Sequence, residues 1–192
     1  GACVPSAPTT PTMSTTSSTD LPAALRFEPS LLLKAQGRSL GVKAAIFDVD
    51  GVLTDGRLYI GGDGEGFKAF HVLDGHGIKL LTQAGIVPIV ITGRDSPAVR
   101  RRLADLAVVH AVFGATDKAA AAERLLGELG IAWGDVAVIG DDWPDLPLIE
   151  RCAFSCAPPG AHAEARARVD HVTCASGGEG AAREFCDILL HA

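Results

Sequence analysis

Acidic side chains follow two apolar segments of this 192-residue chain at short spacing. Asp48 and Asp50 come directly after AAIF, and Asp141, Asp142 and Asp145 come after VAVIG. Grouped carboxylates repel one another, and burying them is costly unless a cation compensates their charge. Mg²⁺ suits such a group because it prefers oxygen ligands and keeps several waters. The two segments together therefore predict a magnesium site.

Two further segments carry the groups that an anionic substrate needs. The stretch ITGR supplies Thr92, Gly93 and Arg94, and TDK supplies Lys118. A threonine hydroxyl and backbone N–H groups hold phosphoryl oxygens, while a lysine and a divalent cation balance their charge. A carboxylate is also a competent nucleophile for phosphoryl transfer, in which positioning and charge neutralisation do most of the catalysis. This set of side chains indicates phosphoryl transfer.

Each of the four segments has a purely structural explanation when it is considered alone. An aspartate pair after a strand is common in turns, Asp117 is typical of a helix N-cap, and Pro144 is typical of a first helical turn. The joint occurrence of all four segments, in this order and each after an apolar run, is much harder to explain by structure alone. We therefore interpret them as one site.

Short apolar runs alternate with segments of helical periodicity along the chain. The predicted strands are 43–47, 87–91, 108–113, 136–139 and 169–173. The predicted helices between them are 75–84, 96–106, 117–129 and 144–151. Such alternation predicts an α/β fold, a Rossmann-like parallel sheet sandwiched by helices. Because ligands bind beyond the carboxyl ends of parallel strands, we expect the four segments to meet at one edge of this sheet.

The segment 57–72 interrupts the alternation with two strand-like arms around a Gly/Asp turn, which predicts a projecting β-hairpin. Only about forty residues separate DVD from ITGR, which leaves no room for a cap domain. Leu58, Ile60, Phe67 and Phe70 are too apolar to be left in water, so we expect an interface with further copies of the chain. The alternative is that they fold back onto their own domain.

Composition bounds the organisation and the partners of the chain. Residues 1–22 are rich in Ser, Thr and Pro, which predicts a disordered N-terminal arm before a single domain at 23–192. The net charge of -6 argues against nucleic acid or an anionic membrane surface as partner. No apolar run approaches the ~20 residues of a membrane span. The five cysteines form no CxxC pair, so we expect reduced thiols and a cytoplasmic protein.

The motifs DVDGVLTDG, ITGR, DK and GDDWPDLP resemble the four motifs of the haloacid dehalogenase superfamily. The stretches GVLTDGRLYIGGDGEGFKAFHVLDGHGIK, TGRDSPAVRRR and GGEGAAREFCDILL are similar to a narrower group, the 3-deoxy-D-manno-octulosonate 8-phosphate phosphatase family of lipopolysaccharide precursor synthesis. The resemblance covers about residues 30–190. It implies a magnesium-dependent phosphatase that works through an aspartyl-phosphate intermediate.

The resemblance also implies roles for individual residues. Asp48 would be the nucleophile and Asp50 the general acid and base. Thr92, Gly93 and Lys118 would hold the phosphoryl oxygens. The implied magnesium ligands are Asp48, the carbonyl oxygen of Asp50 and Asp141, with Asp142 in support.

In the family, one segment after the hairpin and three basic positions line the substrate site. They match His71, Val72, Leu73, Asp74, Gly75, Lys79, Arg94 and Arg102. The implied substrate is a phosphorylated sugar acid, whose carboxylate pairs naturally with cations. Leu73 and Glu179 stand where the family often has basic residues, which bears on the identity of the substrate and not on phosphate hydrolysis. The resemblance further implies a homotetramer, in which neighbouring subunits help to close each site.

Other functions stay open from the sequence. A phosphatase of another small phosphorylated sugar or sugar acid would carry the same motifs. A phosphomutase shares Asp48 and Asp50 but usually needs a cap to retain its intermediate. A non-catalytic oligomerisation module would have lost the motif carboxylates. A phospho-receiver domain also combines Asp, Thr and Lys, but its phosphoacceptor follows the third strand, where this chain has FGATDK.

Overall fold

A computed structural model describes residues 27–37 and 41–192 of the chain, and the predicted arm at 1–22 lies outside the described residues. The strands are β1 (Ala44–Phe47), β2 (Tyr59–Gly61), β3 (Gly64–Phe67), β4 (Val87–Ile91), β5 (His110–Val112), β6 (Val136–Ile139), β7 (Phe154–Ala157) and β8 (His171–Val172). The helices are α1 (Pro29–Ala35), α2 (Val72–Gln83), α3 (Pro97–Asp105), α4 (Lys118–Leu129), α5 (Leu146–Ile149), α6 (Ala163–Arg168) and α7 (Ala181–His191). Six strands form a parallel sheet in the order β5-β4-β1-β6-β7-β8, and β2 and β3 form a separate antiparallel hairpin.

The central strand β1 shows why the sheet is parallel and covered on both faces. It lies between β4 and β6, and all four of its residues are buried. Phe47 belongs to a core cluster with residues of α2, α3 and α7, whereas Ile46 belongs to a second cluster with residues of α4 and α5. A strand that is apolar on both faces needs a helix layer on each side. The predicted α/β sandwich is confirmed.

Two of the differences from the sequence-based expectation concern β7 and α2. The strand β7 has no counterpart among the predicted strands, because its sequence FSCA is short and contains no β-branched residue. It forms because β6 and β8 pair with it on its two sides. The helix α2 begins at Val72, three residues before the predicted start at Gly75. His71 explains the earlier start, since its ring Nδ1 accepts a hydrogen bond from the N–H of Leu73 at 3.2 Å and caps the helix.

Three of the four apolar side chains predicted to form an interface at the hairpin are exposed. Leu58, Ile60 and Phe67 are 45%, 65% and 61% exposed. Phe70 packs against the core, so a fold-back onto the same domain holds for Phe70 and not for the other three. Between β1 and β4 the structure describes the backbone throughout, and this segment forms the hairpin and α2 without a cap domain.

The described part of the chain contains no helix that is long and apolar enough to cross a membrane. Its four cysteines are free. Cys156 and Cys186 are buried, and this burial raises the pKa of both thiols well above their ordinary value. These two residues act as small apolar side chains of the core.

Candidate active site at the carboxyl edge of the sheet

A cavity of about 320 Å³ opens at the carboxyl ends of β1, β4 and β6. Its lining residues come from the segments that follow four strands: Asp48, Asp50, Thr92, Gly93, Arg94, Ala115, Thr116, Lys118, Asp141, Asp142, Pro144 and Asp145. These strands lie side by side in the order β5-β4-β1-β6. The parallel sheet therefore brings together all the residues of the predicted catalytic, phosphate-binding and magnesium sets.

Asp48 comes directly after the central strand and is 8% exposed. Its backbone N–H donates to the carbonyl oxygen of Ile139 at 3.1 Å, which continues the hydrogen bonding between β1 and β6. Burial, followed by the charge of Asp145, raises the pKa of Asp48 to about 6 against the opposing effect of Lys118. The sheet thus holds this carboxylate where further positive charge favours its ionised form.

Lys118 is the first residue of α4, and the carboxylate of Asp117 caps this helix by accepting from the N–H of Ala120 at 3.0 Å. The Nζ of Lys118 donates to Asp48 Oδ1 at 2.7 Å and to Asp145 Oδ1 at 2.6 Å. Burial by itself lowers the pKa of Lys118, but the two carboxylates outweigh this effect and raise the pKa above its ordinary value. Lys118 therefore stays charged and fixes one oxygen of Asp48.

Three carboxylates form a compact cluster beside this lysine. Asp48, Asp141 and Asp145 each offer one oxygen, and these oxygens lie within 4.8 Å of one another. Burial, followed by the charges of Asp48 and Asp145, raises the pKa of Asp141 to about 8. One buried lysine does not balance three carboxylates, and a divalent cation would do so. The donors are all hard oxygens, so the residues present fit Mg²⁺.

The third carboxylate of this cluster is Asp145, which was not in the predicted ligand set, and Asp142 lies outside the cluster. The side chain of Asp145 turns inward and its Oδ2 accepts from the N–H groups of Asp141 and Asp142 at 3.1 and 3.3 Å. Gly140 leaves the necessary space, because a Cβ there would lie 2.5 Å from the Cβ of Asp145. The spacing of four residues between Asp141 and Asp145, about one helical turn, was the signal in the sequence.

Asp50 has a side chain that is 22% exposed at the cavity. Its Oδ1 accepts from the Nζ of Lys68 at 2.5 Å, and its Oδ2 lies 3.9 Å from the Nε of Arg94. Lys68 directly follows β3 and was not among the predicted site residues. The available signal was a single lysine between two aromatic residues in FKAF.

The loop after β4 is tied to the loop after β5. Thr92 is 1% exposed, and its Oγ1 accepts from the N–H of Arg94 at 3.3 Å. The N–H of Ala115 donates to the carbonyl oxygen of Thr92 at 3.0 Å. These bonds fix Thr92 and Gly93 in the wall of the cavity, where a hydroxyl and a backbone N–H suit phosphoryl oxygens.

Glycines allow close packing on both sides of the loop that follows Asp50. Gly51 has a φ of +94°, and a Cβ there would lie 2.0 Å from Asp141 Oδ2. From the other side, a Cβ on Gly177 would lie 1.9 Å from the carbonyl oxygen of Gly51. The N–H of Gly178 donates to the carbonyl oxygen of Val52 at 2.9 Å. The GGEG stretch thus forms a wall behind the catalytic loop. This packing role was not predicted from the sequence.

Arg102 and the start of α2 lie together, but outside the cavity of their own chain. The Nη2 of Arg102 donates to the carbonyl oxygen of His71 at 3.2 Å, and its guanidinium lies 5.9 Å from the ring centroid of Phe70. Gly75 makes room for it, because a Cβ there would lie 2.2 Å from Nη2. Of the predicted substrate-binding residues, only Arg94 lines the cavity with the catalytic carboxylates.

The other predicted substrate-binding residues of α2 divide into one buried and three exposed side chains. Asp74 is 2% exposed, and its Oδ1 accepts from the N–H of Arg183 at 2.8 Å and caps the start of α7. Burial raises the pKa of Asp74. Val72 and Leu73 are 78% and 51% exposed, and Lys79 is exposed as well. Asp74 therefore has a structural contact, and its neighbours face away from the core.

A larger cavity, of about 650 Å³, lies between α1 and the start of α7. Phe27, Leu31, Leu73, Glu179 and Arg183 are among its lining residues. None of the catalytic carboxylates lines it, so the smaller cavity at the sheet edge is the site with the chemistry.

Comparison with known sequences gives one consistent family. Residues 108–185 match the family of haloacid dehalogenase-like hydrolases. The 3-deoxy-D-manno-octulosonate 8-phosphate phosphatase of Haemophilus influenzae is 45% identical over 151 residues, which cover 79% of this chain and 84% of that protein. The corresponding phosphatase of Salmonella typhimurium is 43% identical over 162 residues, which cover 84% of each protein.

Two solved structures of similar proteins contain a bound metal. The 3-deoxy-D-manno-octulosonate 8-phosphate phosphatase of Moraxella catarrhalis, in complex with magnesium, phosphate and KDO, has a TM-score of 0.79 at 38% identity, covering 84% of this chain and 91% of that one. The cobalt-bound phosphatase of Haemophilus influenzae has a TM-score of 0.76 at 44% identity, covering 79% and 88% of the two chains. Both structures thus hold a metal ion, in keeping with the fit of the carboxylate cluster to a metal.

Proposed function

The chain belongs to the 3-deoxy-D-manno-octulosonate 8-phosphate phosphatase family of haloacid dehalogenase-like hydrolases, and from this membership we propose that it hydrolyses that phosphomonoester in lipopolysaccharide precursor synthesis. The observation that carries the proposal is the contact of Lys118 with Asp48 beside the carboxylates of Asp141 and Asp145. A decayed, non-catalytic module would not keep these carboxylates at a cost in burial and repulsion.

We propose that two aspartates divide the reaction between them. Lys118 holds Oδ1 of Asp48, and the carboxylate attacks phosphorus in line and forms an aspartyl-phosphate. Asp50 protonates the departing sugar oxygen and then takes a proton from the water that hydrolyses this intermediate. Thr92, Gly93 and Lys118 hold the phosphoryl oxygens in both steps, where positioning and charge neutralisation supply most of the catalysis.

Magnesium would be held by Asp48, Asp141 and Asp145, together with the carbonyl oxygen of Asp50. When bound, it neutralises charge on the phosphoryl group and on the carboxylates around it. Asp142 is exposed, and we propose it as an outer group that supports the ligands. The free cysteines of the described residues are in keeping with a reducing, cytoplasmic environment, which we also propose.

The active form that we propose is a homotetramer with shared sites. Leu58, Ile60 and Phe67 on the hairpin are exposed in the single chain, although apolar side chains of this size favour burial. Arg102 and His71 do not line the cavity of their own chain, so a neighbouring copy would bring such groups to the sugar acid. Light scattering on the purified protein tests the assembly, and a monomer at micromolar concentration would exclude it.

A panel of phosphorylated sugars and sugar acids, assayed for phosphate release with Mg²⁺, tests the reaction. We expect a clear preference for the eight-carbon keto acid. Leu73 and Glu179 stand at positions where the resemblance implies that the family often has basic residues, which favours a second candidate, the phosphatase of another small phosphorylated sugar acid. A flat profile would refute the narrow substrate and leave a general phosphatase.

The variant Asp48→Asn tests the nucleophile in the same assay. We expect it to abolish phosphate release while the fold is retained, because an amide does not form the aspartyl-phosphate. The matched control is Asp105→Asn, on the exposed surface of α3, where Asp105 pairs with Arg101. Turnover by Asp48→Asn at the control's rate would refute the assignment.

A further inference from the structure

Lys68 is a buried cation on an exposed hairpin. It directly follows β3, and its side chain is 1% exposed, whereas the preceding Phe67 is 61% exposed. The side chain therefore runs from the hairpin into the protein and ends at the site. Its Nζ reaches Oδ1 of Asp50 at 2.5 Å, and this ion pair joins residues 18 positions apart in the sequence.

The energetic cost of this arrangement indicates a purpose beyond stability. Burying an ammonium group is costly, and a buried ion pair is often no more stable than apolar side chains of the same volume. An apolar residue would anchor the hairpin with less desolvation. What Lys68 supplies, and an apolar residue does not, is a fixed position for one oxygen of Asp50.

The two oxygens of Asp50 have different surroundings. Oδ1 faces Lys68, which does not line the cavity. Oδ2 lies 3.9 Å from the Nε of Arg94, which does line it. The pairing of Oδ1 leaves Oδ2 as the oxygen on the side of the substrate.

We propose that Lys68 is a positioning residue, which holds Oδ1 of Asp50 so that Oδ2 donates the proton to the departing sugar oxygen. The inference rests on the proposed role of Asp50 as general acid and base. It assigns to the hairpin a part in the chemistry, because the hairpin carries the group that orients Asp50. Without Lys68 the carboxylate of Asp50 rotates and the proton transfer is misaligned, while Asp48 and Lys118 keep their contact.

The test compares Lys68→Met and Lys68→Arg on two kinds of ester. An alkyl phosphate, such as the sugar acid phosphate, needs a proton on its leaving oxygen. p-Nitrophenyl phosphate does not need one, because p-nitrophenolate leaves as an anion. We expect Lys68→Met to lower kcat for the alkyl ester about 10²-fold, within the usual range for general acid catalysis, with little change in KM.

The rapid burst of p-nitrophenolate should stay near the wild-type rate in Lys68→Met, since this burst reports the attack by Asp48 alone. Lys68→Arg should restore most of the activity on the alkyl ester, because it keeps the charge. The matched control is Lys34→Met, at an exposed ion pair with Asp170, which should behave as the wild type.

Three results would overturn the inference: equal losses of the burst and of alkyl-ester turnover in Lys68→Met, unchanged turnover of the alkyl ester, or no restoration by Lys68→Arg. If Lys68→Met does not fold, Lys68→Gln gives the same comparison with a polar side chain. Any alkyl phosphate that the wild type cleaves serves in this test. Wild-type protein that does not hydrolyse the eight-carbon acid would therefore refute the proposed substrate. The role of Lys68 would still be decided by comparing the loss of alkyl-ester turnover with the loss of the p-nitrophenolate burst.

Discussion

The wall of glycines behind the catalytic loop makes Gly177→Ala a sharp test of the site. A Cβ on Gly177 would lie 1.9 Å from the carbonyl oxygen of Gly51, and real Cβ atoms do not approach closer than 3.0 Å. The two segments must therefore separate by more than 1 Å. Gly51 directly follows Asp50 and packs on its other side against Asp141, so the loop has little free space into which to move.

The expected effect follows from this displacement. A misplacement of 1 Å in a catalytic group costs about 10²-fold in rate, so Gly177→Ala should lower kcat about 10²-fold with Mg²⁺ present. The assay is phosphate release on the best substrate of the panel, with circular dichroism to establish that the variant is folded.

The matched control is Gly127→Ala. Gly127 lies in α4, and a Cβ there would meet nothing within 4 Å. Alanine favours a helix interior by roughly 1 kcal/mol, so this control should raise the unfolding midpoint and keep the activity. A folded Gly177→Ala protein with the kcat of this control would refute the argument that the GGEG wall fixes the position of Asp50.

Three further predictions concern metal binding, the pH dependence of stability and the assembly. Mg²⁺ should bind more tightly as the pH rises towards about 8. The reason is that burial and the charge of Asp48 raise the pKa of Asp141 to about 8, so that a proton competes with the metal below that pH. Calorimetric titrations that show an Mg²⁺ affinity independent of pH would contradict this. Since folding raises this pKa from 3.8 to about 8, only the folded state holds the proton between these values. The metal-free protein should therefore lose stability as the pH rises from about 3.8 to about 8 and change little above that, and Asp141→Asn should remove most of that loss in thermal melts. Ile60→Lys should give a folded monomer in light scattering, because it places a charge on the exposed hairpin face, whereas Val109→Lys, at another exposed apolar position, should keep the wild-type mass.

The site residues that the sequence predicts are those whose positions are determined by the ends of strands. Asp48, Thr92 and Asp141 each follow an apolar run of β-branched or small residues, and a parallel sheet places the ends of such runs at one edge. Lys118 was also predictable, because its helix begins at a clear N-cap. For these residues, local sequence and one topological rule determine the position.

The residues that the sequence did not reveal depend on contacts between distant segments. Lys68 reaches Asp50 because the hairpin folds over the site, and no local pattern encodes that distance. The sequence places Asp145 at this edge of the sheet but not in the carboxylate cluster, which it joins because Gly140 leaves space for it. The strand β7 pairs with two neighbours although its own residues have no strong preference for a strand. Tertiary packing decides in each of these cases.

The contact between Gly51 and Gly177 also has a consequence for folding. The catalytic aspartates lie near the start of the domain, but the segment that supports their loop lies near its end. Contacts between segments so far apart in sequence form slowly, because a long loop must be closed before the contact stabilises anything. A folding intermediate that contains β1, β4 and β6 would carry the nucleophile and still lack the fixed loop. We therefore expect catalytic activity to recover only when this contact has formed, so that its recovery during refolding reports the formation of the contact.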